Sequence, residues 1–75
     1  MVFIQLTTRK GSKVLTNVDN ITNIIDVTNT PGQRINENTR IFTNDGDCLM
    51  VEETYQDIKQ KLNDSDEYGL VIKMD

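Results

Sequence analysis

An α+β fold, mainly β, with a small antiparallel sheet of four to six strands and one packed amphipathic helix near residues 54–63, is what this sequence predicts. Three observations lead to it. Apolar and polar residues alternate from the start of the chain, an Asp45-Gly46 pair separates two further alternating runs, and Tyr55, Ile58 and Leu62 recur at helical spacing behind a capping Thr54.

In residues 1–7, Val2, Ile4 and Leu6 fall on one side and Phe3 and Gln5 on the other, the period of a half-buried strand. Arg9-Lys10-Gly11-Ser12 interrupts the pattern with a glycine suited to a hairpin turn, and residues 13–16 resume it as a second strand. Asn17, Asp19 and Asn20 around Val18 favour side chain to backbone hydrogen bonds, hence a tight turn or a single helical turn. The β-branched run that follows fits a third strand over about 22–28 better than a helix.

Residues 28–38 are polar except for Ile35 and contain Pro31-Gly32, so they read as a loop. At eleven residues it exceeds the usual hairpin connection, and long ordered loops in small domains often carry function. Asp45-Gly46 then marks a hairpin between strands at 39–43 and 48–52. A two-residue turn sets Phe42 opposite Leu49 and Ile41 opposite Met50; a three-residue turn changes these pairs, and in both cases each face carries apolar groups. Thr54 and Asp57 form a capping box for the helix. Residues 69–74 have the composition of a further strand that pairs within the chain or between chains.

With 75 residues, the chain is expected to form one domain, and domains of this size bury only about 60% of the surface of the unfolded chain. Subunit contacts are therefore a natural source of added stability. Cys48 is the sole cysteine, which fits a reducing compartment and a small, half-buried strand position. Histidine is absent, removing the usual neutral-pH base and the commonest nitrogen ligand for metals, so neither catalysis nor a metal or other cofactor is expected. A net charge of −4 disfavours general nucleic-acid binding. No run of 18 apolar residues and no signal-peptide pattern is present, and a cytoplasmic protein is the expectation.

Two kinds of binding site are candidates. Arg9, Lys10 and Lys13 around Gly11, with Arg34 in the long loop, offer positive charge to a nucleotide-like or other anionic small molecule. Ile41, Phe42, Leu49 and Met50 of the hairpin, with Leu70 and Ile72 of the tail, form an interface in the second reading. A sheet apolar on both faces needs cover on both, the helix supplies one cover, and a second copy of the chain or another protein supplies the other.

From Phe3 to Leu62 the order of signals is similar to the flagellar FlbD and swarming-motility SwrD family. The matching residues are Ile4-Gln5-Leu6-Thr7, Gly11, Asn17 before Ile21 and Ile24, Thr43-Asn44-Asp45-Gly46, Val51 with Glu53-Thr54, and the helix through Ile58 and Leu62. The resemblance implies a small β-rich domain closed by one helix, of a kind also found in phage genomes, and it carries no catalytic residues to map. The asparagine-rich stretch at 28–38 and the strand-like tail after Asn63 depart from that pattern. Together these readings point to a non-catalytic binding protein, homo-oligomeric and acting through a sheet edge or the 28–38 loop; the alternative is a phage-encoded sequestering or inhibitor protein, taking an anionic ligand or a host protein.

Overall fold

The computed structural model describes residues 2–65. These form a small α+β protein with two antiparallel sheets and one helix. Strands β1 (Phe3–Thr7) and β2 (Lys13–Asn17) pair as a hairpin, a 3-10 turn over Val18–Asn20 leads into β3 (Ile21–Asp26), and β4 (Thr39–Thr43) and β5 (Cys48–Val51) precede α1 (Tyr55–Ser65). One sheet is β1-β2 and the other β3-β4-β5. The tail strand expected at 69–74, with Leu70 and Ile72, lies outside the described residues.

The expected single sheet of four to six strands is thus divided into one of two strands and one of three. The division has a local cause. β1 and β5 meet only where β1 enters its turn, through a bridge between Thr8 and Val51. Arg9 N–H donates to the Met50 carbonyl at 3.0 Å and Glu52 N–H to the Thr7 carbonyl at 2.8 Å. Beyond that crossing the Arg9–Ser12 turn carries the chain away from β5, so no ladder propagates.

The β4-β5 hairpin closes through a three-residue turn. Thr43 N–H donates to the Asp47 carbonyl and Gly46 N–H to the Thr43 carbonyl, both at 3.1 Å, while Gly46 takes φ +90°. A left-handed residue after a type I turn is the usual three-residue solution, and glycine adopts it without a Cβ clash. This turn pairs Ile41 with Leu49 and Phe42 with Cys48. Opposite residues share a face, so Thr39, Ile41, Leu49 and Val51 face inward and Arg40, Phe42, Cys48 and Met50 outward. β3 extends both faces, with Ile24 beside Ile41 on the inner side and Asn23 and Ile25 beside Phe42 and Arg40 on the outer. The strand stops at Asp26, short of the expected residue 28, because the Asp26 carboxylate accepts from Thr28 N–H at 3.0 Å and turns the chain.

Ile4, Leu6, Ile41, Val51, Ile58 and Leu62 form the buried cluster, on which Val14, Val18, Ile21, Ile24 and Leu49 pack. α1 belongs to this core through Ile58 and Leu62, the i and i+4 positions of one helical face. Its start is set by Thr54, whose hydroxyl accepts from Asp57 N–H at 3.1 Å. Asp57 adds a negative charge in the first turn, where the helix dipole favours it. Thr54→Ala removes the cap and is expected to lower stability by about 1 kcal/mol in urea unfolding.

Candidate functional site

The 28–38 loop is not a loose insertion. Glu37, near its end, is fully buried. Burying a carboxylate is unfavourable unless it is ionically paired and hydrogen-bonded, and Glu37 is both. Arg40 donates from Nε to Oε2 at 2.8 Å and from Nη2 to Oε1 at 2.9 Å, and the backbone N–H of Arg34 reaches Oε1 at 3.1 Å. The Arg40 fork, followed by the Arg34 amide, holds the Glu37 carboxyl below the ordinary glutamate range against the opposing effect of burial, and the charge of Arg9 adds to the lowering.

The clamp reaches both halves of the loop. Arg40 Nη2 also touches the Gly32 carbonyl at 3.3 Å, Gln33 Nε2 donates to the Glu37 carbonyl at 2.6 Å, and Asn29 N–H donates to Gln33 Oε1 at 2.9 Å. Asn29 and Asn36 sit at φ +63° and +61°. Asparagine tolerates this left-handed region better than most residues, so the amide-rich composition that reads as a loop in the sequence here serves tight bends. Ile35, beside Asn36, is 80% exposed.

Arg40 ties this loop to the outer face of β3-β4-β5. Across that face Ile25, Arg40 and Met50 form one row, and Asn23, Phe42 and Cys48 the next. Ile25 is 45% exposed, Phe42 and Met50 are half-buried, and none of the three packs on the buried cluster. Cys48 is exposed, not half-buried as its strand position suggested, because it stands at the end of β5 on the side that no other described element covers. A separate apolar patch occurs on the β1-β2 sheet, where Phe3 and Leu15 are 49% and 65% exposed.

Of the expected interface residues, Ile41 is fully buried in the chain's own core and has no surface to offer a partner. Leu49 packs on that core as well. Phe42 and Met50 remain on the outer face, while Leu70 and Ile72 lie outside the described residues. The basic candidates are not brought together around one point by any shared contact. Lys13 donates to the Thr7 hydroxyl at 3.0 Å, Lys10 is exposed, Arg9 lies within electrostatic reach of Glu37, and Arg34 engages Glu37 only through its backbone. Sequence reasoning missed Glu37 and Arg40; their i, i+3 spacing next to a Pro-Gly turn was the available signal.

A second concave feature lies on the opposite side of β3. An open cleft of about 350 Å³ is lined by Val18, residues 21–24, Tyr55 and Leu62. The register of β3 against β4 shifts between Ile21 and Asn23, which interrupts the regular alternation of faces along the lining segment 21–24. Lys59 Nζ stands 6.0 Å from the centre of the Tyr55 ring, at the helix side of the same feature. Comparison of the chain with family models, curated proteins and solved structures finds no match.

Proposed function

We propose that this chain is a non-catalytic interaction module that self-associates through the outer face of β3-β4-β5. The observation that carries the reading is the placement of Ile25, Phe42 and Met50 on one face of three neighbouring strands, Phe42 diagonal to the other two with Arg40 between them, outside the buried cluster of the described residues. Apolar side chains gathered in this way favour burial, at about 25 cal/mol for each Å² removed from water. The clamped loop borders the same face through Arg40, and a surface already ordered before contact loses little conformational entropy on association. An anion-sequestering role for Arg9, Lys10, Lys13 and Arg34 has less support, since Lys13 is engaged by the Thr7 hydroxyl and no shared contact gathers the four around one point.

Sedimentation velocity across a concentration series tests the assignment. Wild-type protein is expected to sediment as a dimer or larger species, Phe42→Asp as a monomer, and Leu15→Asp like wild type. Cys48 supplies an independent readout because it stands in the row of Phe42. Its alkylation by a maleimide should slow as wild-type concentration rises and stay constant for Phe42→Asp. A monomer at every concentration, or an assembly broken by Leu15→Asp and not by Phe42→Asp, rejects this surface.

A further inference from the structure

Two charged side chains border the outer face of β3-β4-β5 where it approaches β1. Thr8 bridges Val51 and Arg9 N–H donates to the Met50 carbonyl at 3.0 Å, so Arg9 stands beside Met50 and extends the row of Ile25, Arg40 and Met50 by one strand. Its charge reaches Glu37, which Arg40 grips, and this places Arg9 on the same side of the sheet as Arg40. Glu52, exposed and two residues beyond Met50, continues the outward side of β5. Neither Arg9 nor Glu52 makes a side-chain hydrogen bond or an ion pair among the described residues.

The spacing of these two residues repeats that of two apolar ones. Glu52 lies one strand across and two residues along from Arg9, and Ile25 lies one strand across and two residues along from Phe42, in the same direction. With about 4.8 Å between strands and about 3.4 Å per residue, each step is a diagonal of about 8 Å. On that grid the line joining the two midpoints runs at close to right angles to both diagonals and passes between Met50 and Arg40. A twofold axis along the line, between two facing copies, exchanges the ends of both diagonals at once.

We propose that the self-association of this face is a twofold dimer in which Arg9 pairs with Glu52 of the partner subunit while Phe42 packs on Ile25 of the partner subunit, each contact occurring twice. This rests on the assignment of the outer face above and adds the orientation of the two copies. A second copy is the fitting occupant because the face is complementary to itself: one operation sets an arginine opposite a carboxylate and an aromatic ring opposite an aliphatic side chain. Arg40 lies close to the axis, where like charges of the two copies approach, and its two bonds to the buried Glu37 neutralise it before contact. Exposed ion pairs add little affinity, whereas like charges set opposite each other are strongly unfavourable, so Arg9 and Glu52 act mainly on orientation and partner choice.

Sedimentation equilibrium of the full chain at low salt tests the pairing. Arg9→Glu and Glu52→Arg each oppose like charges twice per dimer and should raise the dimer Kd at least about tenfold. Arg9→Gln, which removes the charge without reversing it, should raise it about threefold. The decisive sample is an equal mixture of the two reversal variants, in which both contacts again join opposite charges. It should form a heterodimer with a Kd within about threefold of the wild-type value. Reversals that leave Kd unchanged while Phe42→Asp is monomeric overturn the pairing and leave the face assignment standing. A mixture that stays as weak as either variant alone also overturns it, because the charges then act within one chain. A wild-type monomer at every concentration removes both proposals.

Discussion

Ile41→Ala will lower the unfolding free energy by about 3 kcal/mol, read as a shift of the urea midpoint at unchanged slope. Ile41 is fully buried, shares the inner face with Ile24 and Leu49, and belongs to the cluster that also holds Ile58. Truncating such a residue loses the transfer of three carbons from water and leaves a cavity that two sheets and a helix cannot collapse without moving one another. A domain of this length has a stability of about 4 to 11 kcal/mol, so the variant lies near the threshold of folding. Phe42→Ala, one residue away and on the opposite face, is expected to cost about 1 kcal/mol in the monomer, since its ring is already partly in water. A larger loss at Phe42 than at Ile41 would mean that the inner and outer faces have been exchanged.

The second large effect is at Glu37. Glu37→Gln keeps the shape and an acceptor for the Arg34 amide but removes the charge that Arg40 grips with two nitrogens. A loss of about 2 kcal/mol at neutral pH is expected, the scale of hydrogen bonds to a charged group. The pH dependence has a definite sign. The folded-state pKa of Glu37 is lowered, so the ionised form stabilises the fold fully above the ordinary glutamate value. That contribution falls away as the pH drops through the lowered folded value. Wild-type stability should therefore decline on the acid side more steeply than that of Glu37→Gln. Asp45 contributes a separate acid-side loss in both proteins, its carboxyl held low by the Thr43 hydroxyl and the Asp47 amide. Identical acid limbs would show that the Glu37 carboxylate does not stabilise the fold. Amide exchange in 33–38 should quicken in the same variant, because the loop loses the group that joins its ends.

The elements most legible in the sequence were those specified by neighbours. The Thr54 and Asp57 cap lies within one turn, the glycine turn of the second hairpin within four residues, and the alternation of Ile4 and Leu6 needs only the strand's own period. What depended on distant partners was not legible. One residue in the turn decides whether Leu49 or Met50 joins Ile41 on the inner face, and the sequence allows both. The division into two sheets follows from the path of Arg9–Ser12 relative to β5, a tertiary property. At the candidate site, Ile41, Phe42 and Met50 are alike in apolar character, and which of them faces outward could not be told without the register. Glu37 looked like one more hydrophilic loop residue, because nothing local shows that the chain folds over its carboxylate.

The Glu37 clamp separates what holds the loop in place from what the loop displays to solvent. The base of the loop is fixed by contacts that involve Arg40, Gln33 and backbone carbonyls, whereas the side chain of Ile35 at the tip is almost entirely in solvent. Stability and tip chemistry are thereby uncoupled. Substitutions at position 35 are expected to change the chemistry displayed at the tip while the scaffold beneath keeps its shape.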